Sequence, residues 1–236
     1  RKYRPTVYSG SPTMLIGLLR HPDLKESDLT CIKLCASGAA PMPLEVINEF
    51  EQKSGAFIIE GYGMTEATAL AAAIQDRSNR KAGSVGMPVP LTDIKIMDLE
   101  TGETELPPGE SGEVVIKGPQ IMMGYWKQPE ETAKAIRDGW YFTGDIGLMD
   151  KEGRLYINGR LKEMIILGGF NIYPAEVEQV MYQHPAIQEL CVYGVPDEVR
   201  GENVKAVIVL KEGAHVSQEE IIEWCRERIT RYKVPR

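Results

Sequence analysis

Residues 159–176 read Gly-Arg-Leu-Lys-Glu-Met-Ile-Ile-Leu-Gly-Gly-Phe-Asn-Ile-Tyr-Pro-Ala-Glu, and this run is the most informative part of the sequence. It places a charged turn, the glycine pair Gly168 and Gly169, and the proline Pro174 within one short segment. Paired glycines favour a loop, and a proline is well suited to the first position of a helix. The run therefore predicts a hinge that leads through a loop into a helix.

A second stretch, Tyr-Phe-Thr-Gly-Asp at residues 141–145, lies just upstream of the first. The carboxylate of Asp145 follows a glycine and can accept hydrogen bonds from two neighbouring hydroxyls, such as those of a ribose. Arg160 is close enough in sequence to join it. Together the two stretches predict a nucleotide site beside a mobile joint.

Length and composition limit the class of protein. The chain has 236 residues, of which 43% are hydrophobic and 26% charged, so we expect a globular protein with more than one core. The formal charge is -7 and both signs are mixed along the chain, which argues against nucleic acid or an anionic membrane as a partner. No apolar run approaches the ~20 residues of a membrane span, and no signal peptide is visible, so we expect a cytoplasmic protein. The four cysteines lack the spacing of a zinc site and are interpreted as buried thiols.

The hydrophobic pattern divides the chain into three parts. Up to about residue 82 it is α/β, with Leu44, Ile47 and Phe50 at helical spacing before an apolar strand at 56–59. From 83 to 158 it consists of short strands and turns, which predict a small barrel or folded sheet. The final part returns to an α/β pattern, for which we expect a helix at 174–184, strands near 188–195 and 204–210, and a helix at 218–230. We therefore predict a large domain at 1–160 and a small α+β domain at 161–236.

A glycine-rich motif, Glu-Gly-Tyr-Gly-Met-Thr-Glu-Ala at residues 60–67, follows the predicted apolar strand. Ligands collect at the carboxyl ends of strands in open α/β sheets. Tyr62 could present its ring to a planar base, Thr65 could offer a hydroxyl to a phosphate, and Glu66 could offer a carboxylate to Mg2+. The alternative is an ordinary glycine-rich turn capped by a threonine and a glutamate.

The motifs at 61–66, 141–145 and 159–176, in that order, resemble the adenylate-forming superfamily of acyl-CoA synthetases, luciferases and nonribosomal adenylation domains. The resemblance covers essentially the whole chain. It implies the carboxyl-terminal part of a large α/β and β-barrel domain, followed by a small mobile α+β domain. It also implies ATP or AMP, Mg2+ and coenzyme A as ligands, and a carboxylic acid as substrate.

The resemblance assigns roles to single residues. Tyr62 matches the residue that stacks on adenine, while Thr65 and Glu66 match the phosphate and magnesium ligands. Asp145 matches the carboxylate that binds the ribose hydroxyls, and Arg160 matches its helper. Lys162 stands at the hinge position about which the small domain swings between adenylate formation and thioester formation. The remaining binding positions are Gly38, Ala39, Ala40 and Pro41 beside the adenine and acyl channel, Gly61, Gly63 and Met64 in the glycine-rich motif, and Gly168 and Gly169 along the pantetheine path.

Two parts of the superfamily pattern are not found in the 236 residues. A phosphate loop is expected before the first residue, and the adenylation lysine is expected beyond Lys233. We therefore expect part of a longer acyl-CoA synthetase that is inactive as this chain alone.

Within the superfamily, the motifs are most similar to those of microbial fatty-acyl or medium-chain acyl-CoA ligases. The alternatives are another adenylate-forming ligase such as an aryl-CoA ligase, a non-catalytic fragment that binds AMP or an acyl group, and a structural remnant. A homodimer is left open.

Overall fold

The computed structural model describes residues 3–26, 29–38, 42 and 44–236. The chain divides into two compact units, each of which is described by itself. The first unit comprises residues 1–143 and 147–157, and the second comprises residues 144–146 and 158–236. The predicted domain boundary at 160/161 lies close to residue 158, where the long segment of the second unit begins. This boundary stays a prediction.

The first unit is built around a mixed sheet of ten strands. The order along the sheet is β1-β2-β3-β4-β5-β10-β9-β7-β6, with β8 paired to β9. The strands are β1 (Val7–Gly10), β2 (Leu34–Ser37), β3 (Phe57–Tyr62), β4 (Ala72–Ala73), β5 (Ser84–Pro88), β6 (Asp93–Met97), β7 (Gly112–Lys117), β8 (Ile136–Arg137), β9 (Trp140–Met149) and β10 (Leu155–Arg160). The helices are α1 (Pro12–Leu19), α2 (Leu44–Ser54) and α3 (Pro129–Ala135).

The strands β1, β2 and β3 are parallel, and the helices α1 and α2 pack against them. Helix α2 places Ile47 and Phe50 on one face, and both are buried against Ile58 of β3. Residues spaced three or four apart share a helix face, so the periodicity of α2 decides which side is buried. Parallel strands end at the same edge of a sheet, and this arrangement brings the ends of β2 and β3 together.

The predicted strands of residues 83–158 are present and continue the same sheet. Their best-defined turn connects β9 to β10, where Asp150 accepts hydrogen bonds from the N–H groups of Glu152 and Arg154 at 3.0 and 2.8 Å. Its second oxygen accepts from Lys81 Nζ and from the Tyr156 hydroxyl, both at 3.1 Å. Burial alone would raise the pKa of Asp150, but these hydrogen bonds outweigh it and lower that pKa to about 2.

We expect Asp150→Asn to reduce the free energy of unfolding at neutral pH and to make that free energy less dependent on pH below about pH 4. The pKa of Asp150 is depressed in the folded state, so its contribution is present above pH ~4 and is lost as the pH falls towards 2. Because solvent screens part of the interaction, we expect a loss of about 1–2 kcal/mol at pH 7. Urea unfolding at pH 7 and at pH 3 tests this: an equal loss at both pH values would contradict the assignment.

The second unit contains a four-stranded antiparallel sheet in the order β12-β11-β14-β13. Its strands are β11 (Ile165–Leu167), β12 (Phe170–Ile172), β13 (Ile187–Asp197) and β14 (Gly201–Leu210), and its helices are α4 (Pro174–Met181) and α5 (Gln218–Arg226). Both helices bury one face against the sheet, with Val177 and Met181 from α4 and Ile221 and Cys225 from α5. Helix α5 starts with a capping box, in which Ser217 and Glu220 exchange hydrogen bonds of 2.7 and 3.2 Å.

Several predicted boundaries need correction. Helix α4 ends at Met181 rather than His184, and α5 ends at Arg226 rather than Thr230. After α5 the N–H groups of Arg228 and Ile229 both bond to the Cys225 carbonyl, so the chain turns away before Thr230. The expectation of buried thiols is wrong for Cys191, which lies exposed on β13. Among the described residues, no helix is both long enough and apolar enough to cross a membrane.

Candidate functional site

The glycine-rich motif begins inside strand β3 rather than after it. Gly61 and Tyr62 are the last two residues of β3, and Met64 precedes a single turn of 3-10 helix at Thr65–Ala67. A Cβ atom added to Gly63 would lie 1.9 Å from the carbonyl oxygen of Ala69, so the close approach of the two backbone segments requires glycine there. The backbone packing therefore explains why position 63 is a glycine, independently of any ligand.

Tyr62 lies at the end of β3 with 9% of its surface exposed, packed with small residues that include Ala67 and Ala72. Gly38 follows the end of β2 next to it, since a Cβ at Gly38 would lie 3.6 Å from the Gly61 carbonyl oxygen. The structure thus brings together two of the predicted adenine-pocket segments. Ala39, Ala40 and Pro41 lie outside the described residues. Beyond the motif, Ala69 lies in a turn, and Ala72 and Ala73 form the short strand β4.

The motif begins with a half-buried carboxylate, that of Glu60. Burial raises the pKa of Glu60, and the Met42 N–H and the charge of Arg80 counteract only part of this effect. Beside it, Ser37 Oγ is buried without a hydrogen-bond partner among the described residues. These two groups can form further hydrogen bonds at the carboxyl ends of β2 and β3, where an open α/β sheet binds its ligands.

The predicted phosphate and magnesium ligands share one turn of 3-10 helix. Thr65 is exposed, and Glu66 is half-buried. The Glu66 carboxylate oxygen Oε1 accepts a hydrogen bond of 3.0 Å from the hydroxyl of Tyr125. Mg2+ takes oxygen ligands and is usually held by one or two carboxylates together with substrate phosphates, so the chemistry of Glu66 fits this ion. No cluster of three or more acidic, histidine or cysteine side chains suited to a metal occurs in the described part of the chain.

The sequence interpretation missed a segment that contacts this turn. Residues 118–125 follow β7, and their backbone is bound to the turn twice: the Met122 N–H donates to the Glu66 carbonyl at 2.8 Å, and the Thr68 hydroxyl donates to the Gln120 carbonyl at 2.7 Å. The only sequence signal for this segment is the run Gly-Tyr-Trp at 124–126, which has no obvious chemistry by itself.

Asp145 and Arg160 are neighbours in the second unit. Asp145 belongs to β9 and Arg160 ends β10, and Arg160 Nε lies 3.4 Å from Asp145 Oδ1. The Asp145 side chain is 13% exposed and the Arg160 side chain 57%. A largely buried carboxylate beside an exposed cation can accept hydrogen bonds from a diol while its charge stays compensated. The predicted pairing of these two residues is therefore present in the structure, while their binding role stays a prediction.

Lys162 and the glycine pair follow Arg160 along the chain. Lys162 is the central residue of a 3-10 helix at Leu161–Glu163. Gly168 and Gly169, with φ values of 58° and 88°, form the two-residue loop between β11 and β12. Positive φ at both central residues is the mark of a type I′ hairpin turn, for which glycine is favoured. A Cβ at either glycine would meet nothing within 4 Å, so the turn is open as well as tight.

Two contacts join β12 and α4, which follow this turn, to residues 232 and 233. The Phe170 ring stacks on the Tyr232 ring with centroids 4.6 Å apart. Lys233 Nζ binds both carboxylate oxygens of Glu176 at 2.6 and 2.7 Å. Lys233 is thus part of an ion pair at the start of α4, and the expectation that it is not the adenylation lysine stays a prediction.

Two family models match the chain. The model for AMP-binding enzymes matches residues 1–126, and the model for the AMP-binding enzyme C-terminal domain matches residues 176–236. The chain therefore belongs to the AMP-binding enzyme family, which confirms the resemblance found in the motifs.

Curated relatives match along the whole chain. A long-chain-fatty-acid–CoA ligase of Bacillus subtilis (strain 168) is 52% identical over 235 residues, covering 100% of this chain and 42% of the relative. A feruloyl-CoA synthase of an Amycolatopsis species is 42% identical, covering 99% of this chain and 47% of the relative. The chain therefore spans less than half the length of the curated relatives it matches.

Solved structures confirm the fold class. ATP-bound MatB from Rhodopseudomonas palustris superposes with a TM-score of 0.90 at 36% identity, covering 98% of this chain and 46% of that one. The O-succinylbenzoate coenzyme A synthetase of Bacillus subtilis in complex with AMP gives a TM-score of 0.86 at 35% identity, with 99% and 47% covered.

Proposed function

We propose that the chain is the carboxyl-terminal part of an acyl-CoA synthetase that converts a fatty acid, ATP and CoA into acyl-CoA, AMP and pyrophosphate. The observation that carries this proposal is the 52% identity with a long-chain-fatty-acid–CoA ligase along the whole chain. The site residues support it, because Tyr62, Thr65 and Glu66 lie on one short segment at a strand end, as a nucleotide site requires.

In the first half-reaction the carboxylate oxygen of the acid attacks the α-phosphorus of ATP, and pyrophosphate leaves as the acyl adenylate forms. No side-chain nucleophile is needed, so the residues act by positioning the substrates and by compensating charge. Thr65 would donate its hydroxyl to a phosphate oxygen, and Asp145 would accept the ribose hydroxyls. Bound Mg2+, held by Glu66 and phosphate oxygens, would supply positive charge for the departing pyrophosphate.

In the second half-reaction the CoA thiol attacks the acyl carbonyl, a carbon–sulfur bond forms, and AMP leaves with the carbon–oxygen bonding pair. A free carboxylate would be a poor acceptor for a thiol, whereas AMP is a good leaving group. The open Gly168–Gly169 turn offers a path for the pantetheine arm because its backbone carries no side chains.

A second candidate is an aryl-CoA ligase, favoured by the 42% identity with a feruloyl-CoA synthase. The two candidates share the chemistry and differ only in the acid. A non-catalytic AMP-binding or acyl-binding role is the third. The cytoplasmic location and the homodimer stay predictions.

The experiment is a panel of acids tested on the complete enzyme that contains this chain. Pyrophosphate release and thioester formation are measured with medium-chain and long-chain fatty acids, with cinnamic-type aryl acids, and without acid. We expect both products with fatty acids alone. Turnover of aryl acids alone would favour the second candidate. AMP binding without turnover of any acid would favour the non-catalytic role, and a protein that binds no AMP would contradict all three.

A further inference from the structure

The segment at 118–125 brings a phenol to the predicted magnesium ligand from a distant part of the sequence. The Tyr125 hydroxyl donates to Glu66 Oε1 at 3.0 Å, and the two residues are 59 positions apart. The side chain of Tyr141 in turn hydrogen-bonds the side chain of Tyr125. Tyr141 is the first residue of the Tyr-Phe-Thr-Gly-Asp stretch and is 5% exposed.

The direction of this chain of hydrogen bonds follows from proton counting. A phenol carries a single donor proton, and an ionised carboxylate can only accept. Tyr125 gives its proton to Glu66, so it must accept the proton of Tyr141. Linked donors of this kind polarise one another, and each strengthens the next. Glu66 therefore has one oxygen fixed, which leaves the other oxygen for a further ligand.

The backbone of Tyr125 is fixed as well. Its N–H donates to the Thr132 hydroxyl at 2.9 Å, and that hydroxyl donates to the Gln128 carbonyl at 2.8 Å at the start of α3. The Met122 N–H bond to the Glu66 carbonyl, described above, places the same segment against the metal-ligand turn. The backbone that carries the Tyr125 phenol is thus fixed by hydrogen bonds to α3 and to the turn at Thr65–Ala67.

We propose that Tyr125, supported by Tyr141, is a positioning residue that orients the Glu66 carboxylate for the divalent cation of the bound nucleotide. Mg2+ demands near-ideal octahedral geometry, and a glutamate side chain free to rotate would meet this demand only part of the time. Hydrogen-bond partners behind a metal ligand typically change metal affinity 10–100-fold when they are removed. This inference rests on the proposed function, in which Glu66 binds the cation together with ATP.

The chain offers a matched control for the test. The Tyr156 hydroxyl donates to Asp150 Oδ2 at 3.1 Å, so Tyr156→Phe removes the same kind of bond between a phenol and a carboxylate away from the glycine-rich motif. In the complete enzyme, calorimetry measures ATP affinity over a range of Mg2+ concentrations without acid, so that no turnover occurs. Unfolding temperatures are recorded for every variant.

We expect Tyr125→Phe to raise the Mg2+ concentration that gives half of the maximal gain in ATP affinity by about 10-fold or more. ATP affinity without Mg2+ should stay unchanged. Tyr141→Phe keeps the bond between Tyr125 and Glu66, so its shift should be in the same direction and smaller. Tyr156→Phe should lower only the unfolding temperature.

A Tyr125→Phe variant with lower stability and an unchanged Mg2+ requirement would overturn the inference. The hydrogen bond between Tyr125 and Glu66 would then contribute to stability only. If Tyr125→Phe does not fold, Tyr141→Phe decides the question by the same measurement, and no shift there overturns the inference. A parent enzyme whose ATP binding does not respond to Mg2+ at all would instead contradict the role of Glu66 in the proposed function.

Discussion

Asp145→Ala in the complete enzyme is expected to weaken AMP binding about 100-fold while the protein stays folded. A carboxylate that accepts two ribose hydroxyls makes charge-assisted hydrogen bonds worth ~1.5–3 kcal/mol each, and a loss of ~3 kcal/mol in total corresponds to this factor. The 13% exposure of the side chain supports a strong effect, because water competes poorly at such a site. Titration calorimetry with AMP measures the change.

Two further variants separate binding from folding. Asp150→Asn alters a carboxylate of similar exposure, at 14%, whose partners are the β9–β10 turn, Lys81 and Tyr156. It should therefore lower stability and leave AMP affinity unchanged. Arg160→Ala should weaken AMP binding by only a few-fold, because an exposed ion pair is worth ~0–1 kcal/mol. If Asp145→Ala lowers the free energy of unfolding but keeps AMP affinity, Asp145 has a structural role only and the ribose role is wrong.

Local periodicity predicted much of the fold. The spacing of Leu44, Ile47 and Phe50 correctly predicted helix α2, because the signal lies within one segment. Only Ile47 and Phe50 are on its buried face, since Leu44 is exposed at the start of the helix. The glycine pair at 168 and 169 likewise predicted a loop, and the structure shows that this loop is a two-residue turn, in which positive φ at two successive positions strongly favours glycine. The end of β3 was predicted too early because Gly61 is a poor strand residue that tertiary pairing with β4 overrides.

Features created by long-range contacts had no local signal. Thr68 and Ala69 have φ values of 48° and 80°, although neither is a residue that favours the left-handed region. Both residues make contacts with distant or folded-back parts of the chain. The Thr68 hydroxyl donates to the Gln120 carbonyl, 52 positions away, and the Ala69 carbonyl packs against Gly63. The position of Tyr125 beside Glu66 arises in the same way. Single-sequence reasoning could propose Glu66 as a ligand, but it could not show that the Tyr125 hydroxyl binds the Glu66 carboxylate.

Lys162→Pro in the complete enzyme is expected to preserve adenylate formation and to lower thioester formation by roughly 100-fold, the scale of loss that small misplacements of reacting groups produce. Lys162 lies five residues after Ile157, where the first compact unit ends. If the small domain rotates about this residue between the half-reactions, its φ and ψ must change widely, and proline fixes φ near -65°. The fixed φ of proline falls within the φ range of the 3-10 helix seen at Leu161–Glu163, so one arrangement should survive.

The matched control is Lys162→Ala, which removes the charge but leaves the backbone free to rotate. Adenylation is measured as pyrophosphate release with acid and ATP, and the second half-reaction as thioester formation from prepared acyl adenylate and CoA. Lys162→Ala should change both rates modestly, because an exposed charge of this kind contributes little. A loss confined to the proline variant and to the second assay assigns the effect to backbone rotation. Equal losses in both assays would show that Lys162 lies on an ordinary surface turn and that the hinge lies elsewhere.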